Sequence, residues 1–447
     1  MEFLIKAAQL IMSLSILVIL HELGHFIPAK LFKTRVEKFY LFFDPWFSVI
    51  KKKIGDTEYG IGWLPLGGYV KISGMIDESM DKDQMKKPAE PWEFRAKPAW
   101  QRLIIMLGGV TVNLLLGIFI YSMILFVWGD KYISNESLKN GVVCSDFAKE
   151  IGFEDGDKLV SIDGEKVDVF YDISGESIKP AYLEMMISND EEYSVIVTRG
   201  GVDKEIVIGP NFIKHFIESG KEPPFKPRDP VKISGFLESS NAEKAGLLNG
   251  DILLSIGDVE TKYFDELRNE LQNQKSKTVD VGVLRGEEEL SFSVEVSKEG
   301  IIGFTHTPFS LDVSSEKFSF ISSIPAGYNL AINTLGGYID QFALIVNSDN
   351  DLGGELGGFG AIGGMFPSDW NWERFWSLTA FLSLILAFMN ILPIPALDGG
   401  HVVFLLYEIT VGKPAPDKVM EYAQGVGMIL LLGLLVFANG NDILKLF

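Results

Sequence analysis

Ile16-Leu17-Val18-Ile19-Leu20 runs directly into His21-Glu22-Leu23-Gly24-His25 and then into Phe26-Ile27-Pro28. Two histidines four apart share one face of a helix and can grip one metal ion, and the glutamate between them is placed to take a proton from a water that the metal activates. That pattern predicts a hydrolase. Residues 7–20 are almost wholly apolar, so the motif closes a candidate membrane span, where ionisable groups are costly and usually functional. Read alone, the stretch also fits a helix end whose histidines snorkel to the interface. The rest of the chain has to decide.

At 447 residues the chain has room for two to four domains, and 47% hydrophobic residues with a positive mean hydropathy exceed what most soluble proteins carry. A net charge of −20 with no basic stripe argues against a nucleic-acid partner. The single cysteine, Cys144, excludes an internal disulfide and a cysteine-based zinc site, so a metal must use histidine and carboxylate. The histidines are His21, His25, His215, His306 and His401. The N-terminal run has one lysine, like a signal peptide, but no small-x-small site precedes the histidines, and it reads as an uncleaved span.

Four stretches are long enough to cross a bilayer, at residues 4–28, 103–128, 375–396 and 423–439. Residues 30–102 carry 14 Lys and Arg against 10 Asp and Glu, whereas residues 103–372 carry 21 against 42. Lys30, Lys33, Arg35, Lys97 and Arg102 cluster at span ends, so the first loop is expected in the cytoplasm and the large acidic region outside it. The short loop with Lys413 and Lys418 then lies inside, and both termini lie outside.

In the first loop, residues 57–71 (Thr57-Glu58-Tyr59 through Gly67-Gly68-Tyr69-Val70-Lys71) are strand-like and punctuated by Gly and Pro, which predicts a β-hairpin apolar enough to dip into the membrane. Residues 77–91 read as a charged surface loop. The acidic region repeats itself: Ala148 to Ile162, with Gly156-Asp157, returns as Ala242 to Ile256, with Gly250-Asp251. Each copy ends in two β runs around Arg-Gly, at Arg199-Gly200 and Arg285-Gly286. The pattern resembles the PDZ domain, in which an edge strand and a helix hold an extended peptide by strand addition. In the second copy that resemblance points to strand 231–237 and helix 263–271, and extra sequence at 168–186 reshapes or blocks the first groove. Two plain β-rich domains acting as a size barrier stay open as an alternative.

Residues 324–347 are interrupted by Asp340 and Gly336-Gly337 and are expected to form an amphipathic helix on the outer surface, not a span. A Gly-rich run, 353–364, follows it. The third span closes with Asn390-Ile391-Leu392-Pro393-Ile394-Pro395-Ala396-Leu397-Asp398-Gly399-Gly400-His401. A catalytic zinc wants a third protein ligand, and Asp398 is the choice, because an aspartate after an apolar run is costly unless it is paired or metal-bound. The first and third spans run in the same direction, so their later ends reach one side. An Asp that merely caps the next helix is the other reading.

His21-Glu22-Leu23-Gly24-His25, Leu397-Asp398-Gly399-Gly400 and the PDZ-like repeat between the second and third spans together resemble the site-2 protease family of intramembrane metalloproteases, in its bacterial sigma-E-regulating form. The resemblance implies zinc on His21, His25 and Asp398, with Glu22 as general base. It implies substrate binding by Asn390, by Gly67, Gly68, Tyr69 and Val70 of the membrane-dipping hairpin, and by Asn113 of the second-span Gly109 to Asn113 motif. Two departures stand out: Val110 follows Gly109 where the family often has Pro, and Gly358-Phe359 replaces a Gly-Pro turn.

The expected fold is therefore a polytopic α-helical membrane protein with four transmembrane helices, a membrane-associated β-hairpin, and two β-rich PDZ-like domains between the second and third spans. The expected domains are 1–128, 129–225, 226–305, 306–372 and 373–447: first membrane part, two PDZ-like domains, connecting segment with the surface helix, last membrane part. The resemblance implies single-span membrane proteins as substrates, anti-sigma factors and remnant signal peptides among them, cut after their outer domains are trimmed. The expected partners are those substrates, the lipid bilayer and peptide termini at the PDZ-like grooves, with no nucleic acid. The expected place is a bacterial inner membrane, the site towards the cytoplasm and the PDZ-like domains in the periplasm. A transporter using the same residues as an ion site needs a polar path along the spans, and the second span offers only Thr111, Asn113, Tyr121 and Ser122. A non-catalytic PDZ scaffold is the remaining alternative.

Overall fold

The computed structural model describes residues 2–65, 67–75, 88–174, 177–187, 192–210, 212, 216, 223–306, 313–347 and 357–445. Chain contacts divide it into two units. The first holds Met1–Asp130, Ser174–Glu176 and Glu316–Phe447; the second holds Lys131–Ile173 and Ser177–Ser315. Residues 77–87 of the expected surface loop and 353–356 of the Gly-rich run lie outside the described residues.

In the first unit, four helices are long and apolar enough to cross a membrane among the described residues: Glu2–Leu31, Ala99–Val127, Trp372–Ile391 and Lys418–Leu444. The first two meet at glycine. A Cβ on Gly24 would stand 2.4 Å from the Gly108 carbonyl oxygen, and one on Gly108 1.9 Å from that of Gly24, so only glycine lets the two backbones touch. Hydroxyls tie in the third span: Thr379 Oγ1 donates to Ser13 Oγ at 3.0 Å and Ser383 Oγ to the Asn113 carbonyl at 2.7 Å.

The third span stops at Ile391, earlier than the expected residue 396, because Pro393 and Pro395 cannot continue the helical ladder. A further helix, Asp398–Val411, then begins with the aspartate itself. Its apolar side, Val402 and Leu405, packs with Ile105 and Met106 of the second span. That helix covers residues expected to be loop.

The expected hairpin at 57–71 is not one. The first loop forms a four-stranded sheet of β1 (Val36–Leu41), β2 (Phe43–Ile54), β3 (Thr57–Leu64) and β4 (Tyr69–Ile72) in the order β2-β3-β1-β4. β1 enters between β3 and β4, parallel to β3 through Lys38↔Glu58 and antiparallel to β4 through Tyr40↔Tyr69. The true hairpin is β2–β3, turning at Gly55-Asp56. β4 is consequently an edge strand.

Helix Phe320–Asn347 also departs from the expectation of a helix lying on a surface. It packs along the second span, with Phe320 edge-on to Phe126 and Gly327 against Ser122, and reaches the third span where Tyr338 and Phe342 meet Phe388. Ala331 is completely buried among Ile120, Tyr121, Ile124, Ala380 and Leu384. The small residues Gly327 and Ala331 permit that contact, and the polar interruptions do not prevent it.

The second unit contains two modules whose common architecture explains the repeated motifs. In the first, helix Asp146–Glu150 leads to strand Lys158–Ile162; in the second, helix Asn241–Lys244 leads to strand Ile252–Ile256. The aspartate of each Gly-Asp pair is buried and gripped by the arginine of the later Arg-Gly turn. Arg199 Nε and one terminal nitrogen each lie 2.7 Å from the Asp157 oxygens, and the corresponding Arg285–Asp251 distances are both 2.8 Å. These bidentate pairs fasten the strand after Gly-Asp to the terminal hairpin.

The expected groove strand 231–237 is not a free edge. Strand Ile233–Phe236 is already paired with strand Phe304–His306, which forms the outer edge, and the helix is Phe264–Asn273. In the first module the matching strand, Phe225–Pro227, has its edge occupied: Tyr182 Oη donates to the Phe225 carbonyl at 2.6 Å and accepts the Phe225 N–H at 3.3 Å. Tyr182 comes from the extra sequence at 168–186.

Candidate active site

His21 and His25 lie one helical turn apart near the end of the first span, and Asp398 is the first residue of the helix after the third span's break. The fold brings them together. Asp398 Oδ2 lies 3.4 Å from His21 Nε2 and 3.3 Å from His25 Nε2, and the two Nε2 atoms are 3.3 Å apart. Among the described residues this is the one group of three or more His, Cys, Asp or Glu whose donor atoms all lie within 4.8 Å of one another.

Each histidine is oriented from behind. His25 Nδ1 is 2.8 Å from the Ile105 carbonyl, which fixes the proton on Nδ1 and leaves the Nε2 lone pair pointing at the shared centre. Asn113, expected to bind substrate, is completely buried and lies against His21, with Nδ2 3.1 Å from Nδ1. Its amide meets the histidine ring. Its Oδ1 is buried with no partner among the described residues, and rotating the amide would set that oxygen to accept the Nδ1 proton, freeing His21 Nε2 in the same way. Gly109 makes room for both rings: a Cβ there would stand 2.5 Å from His25 Nε2 and 2.6 Å from His21 Cε1.

The cleft over this cluster has a volume of about 670 Å³. Glu22 lines it, with its Cγ 3.5 Å from where a Cβ on Gly68 would stand. Gly68, Tyr69 and Val70 form the opposite wall, and Asn390 lies at the far side with Nδ2 3.5 Å from His21 Nε2. Gly67 stands behind them against the Phe43 ring. Among the further lining residues, which the sequence analysis did not assign to the site, are Lys38, Asp44, Lys71, His401 and Gln424. His401 follows Asp398 by three residues and so shares its helix face, a spacing that could have flagged it.

Residues 9–434 match Peptidase family M50. The chain belongs to this family. M50 is the site-2 protease family of zinc-dependent metalloproteases, and the protein is a site-2-type zinc metalloprotease of the membrane. Its relatives match it end to end. It is 27% identical to "Regulator of sigma E protease" of Haemophilus influenzae over all of both chains. It is 26% identical to "Putative zinc metalloprotease" of Xylella fastidiosa over 99% of each, and 26% identical to "Metalloprotease MmpA" of Caulobacter vibrioides over 99% of this chain and 96% of that one.

The residues of this M50 peptidase suit zinc. Two imidazole nitrogens and one carboxylate oxygen make a three-ligand donor set that leaves a fourth position open. Among the described residues Asp398 Oδ2 is buried without a hydrogen bond, as expected of an atom whose partner is a cation.

Proposed function

We propose that this M50 peptidase cuts peptide bonds inside the membrane-spanning segments of single-span membrane proteins. Anti-sigma-factor-type substrates and remnant signal peptides, cut after their outer domains have been trimmed, make up the regulated intramembrane proteolysis we assign to it. The observation that carries this reading is the placement of a free strand edge beside the catalytic carboxylate. Among the described residues β4 pairs on one side only, with β1, and its residues Tyr69 and Val70 line the same cleft as Glu22.

A helical segment hides its carbonyls in its own hydrogen bonds, so it must unwind before it can be cut. Pairing with the edge of β4 replaces those lost backbone bonds with new ones, and Asn390 offers its amide to a main-chain group across the cleft. His21, His25 and Asp398 would hold the zinc, which when bound would supply Lewis acidity to the scissile carbonyl and to the attacking water. Glu22 takes the proton from the attacking water and returns it to the departing amide nitrogen. The Ile105 carbonyl and Asn113 keep the histidine rings aimed throughout.

The reading places the protein in a bacterial inner membrane, with the first loop and the site towards the cytoplasm and the second unit outside. Its two modules are read as PDZ-like filters that turn away substrates still carrying bulky outer domains. The Phe304–His306 edge and helix Phe264–Asn273 would take a peptide terminus, whereas Tyr182 closes the first module to strand addition.

The test is cleavage of a model single-span substrate by the purified full chain beside Glu22→Gln. The variant is expected to keep its zinc and lose cleavage. A variant that still cuts would refute the role given to Glu22.

A further inference from the structure

The outer edge strand of the membrane sheet, β2, presents a graded surface. Trp46 is 91% exposed, and Phe47, Val49 and Ile50 are 58, 59 and 63% exposed. Trp63 of β3 stacks on both leading rings, 6.0 Å from Trp46 and 5.8 Å from Phe47. Lys51-Lys52-Lys53 follow without a break, all exposed, in a chain of net charge −20. Lys51 is 4.0 Å from Glu58.

The gradient lies along the first span. At the lysine end, Ile54 pairs with Thr57, and Lys30 of the span's last turn donates to Thr57 Oγ1 at 2.8 Å. At the aromatic end, Phe43 pairs with Leu64, and Gly67 packs on Phe43 while Gly68 packs on Val18 and Glu22. Val18 and Lys30 are twelve helical residues apart, about 18 Å along the axis. The lysines thus stand level with the end of the span, and the aromatic rings lie about that much deeper.

An open strand edge in lipid is costly because its backbone groups go unpaired. The deep end of β2 limits that cost. Pro45 has no N–H, and its carbonyl accepts the Trp63 indole N–H at 2.8 Å. The pairing with β3 is irregular from Phe43 to Ile50, which bends this part of the strand out of ordinary edge geometry.

We infer that β2 is a lipid-binding strand: Trp46, Phe47, Val49 and Ile50 lie against acyl chains and the interface, and Lys51, Lys52 and Lys53 hold the phosphates of anionic headgroups. The order of aromatic then cationic side chains follows the order of layers met on leaving a bilayer. The opposite edge of this sheet is β4, so the headgroups also steady the strand beside Glu22. The inference rests on the first span crossing a bilayer and needs nothing of the proteolytic reading.

The test uses the full chain in bilayer nanodiscs of phosphatidylcholine with phosphatidylglycerol, and no cleavage is measured. Val49→Cys carries an environment-sensitive fluorophore; Cys144 is buried and 4% exposed, so the label goes to position 49. Lipids brominated on their acyl chains are expected to quench it. Phosphatidylglycerol retained after extraction is expected to exceed its share of the bilayer, and to fall in the triple variant Lys51→Gln, Lys52→Gln, Lys53→Gln by roughly five-fold per lysine. Zinc content of each variant reports that the fold is intact. An unquenched label, including one that cross-links to a second copy instead, overturns the inference. So does equal phosphatidylglycerol retention by the triple variant.

Discussion

Asn113 sits 3.1 Å behind His21 Nδ1, completely buried, on the side of the ring away from the Asp398 carboxylate that faces Nε2. A polar side chain in that position acts on the metal through the histidine. Asn113→Leu keeps the branched heavy-atom skeleton and removes the hydrogen bond, and is expected to weaken zinc binding by roughly 10- to 100-fold. Cleavage should return when zinc is raised. A variant with unchanged zinc affinity and a raised KM would instead restore Asn113 to the substrate.

Gly109→Ala places a methyl group 2.5 Å from His25 Nε2. The rings cannot both keep their positions, so zinc content should fall well below one per chain and cleavage should fall with it. Metal analysis of the purified variant beside the parent checks this.

Arg285 holds the Asp251 carboxyl below the usual carboxylate range by donating two hydrogen bonds to it. A lowered folded-state value means that this stabilisation is fully present above the unfolded value, near 4, and is lost as pH falls through the folded one. Arg285→Gln is expected to destabilise the second module at neutral pH and to flatten its acid dependence. Thermal unfolding of the two proteins across that pH range reads both effects.

Asp229 behaves in the opposite sense. Burial pushes its carboxyl up to about 6, and one of its oxygens is buried with no partner among the described residues. A raised folded-state value stabilises below the unfolded value and is lost as pH rises through about 6. Asp229→Asn should therefore raise the melting temperature above neutral pH and change it little in acid. A uniform shift at every pH would contradict the assignment.

The cluster of His21, His25 and Asp398 was legible because its chemistry is written in local strings: His21 to His25 fix one helix face, and Asp398 follows a proline break that no span can cross. The paired motifs of the second unit were legible as repeats, and Arg199–Asp157 and Arg285–Asp251 give the reason they recur. The sheet order was not legible. β1 pairs in parallel with β3, about twenty residues away, and no local signal distinguishes that from a hairpin of β3 with β4. Helix Asp398–Val411 was hidden because an apolar run after Pro-x-Pro looks like a span's frayed end. The packing of helix Phe320–Asn347 depends on Gly327 and Ala331 meeting the second span, which polarity alone does not reveal. The Gly358-Phe359 departure has its own logic: the Phe359 N–H donates to Asn439 Oδ1 at 3.2 Å, a bond that proline could not make.

The most direct measurement is the position of the cut. A single-span substrate is incubated with the purified protein in bilayer nanodiscs, with chelator and then with zinc restored, and the product termini are read by mass spectrometry. Termini inside the apolar segment are expected, absent with chelator and recovered with zinc. Termini confined to the water-exposed flanks, or cleavage indifferent to zinc, would contradict this reading.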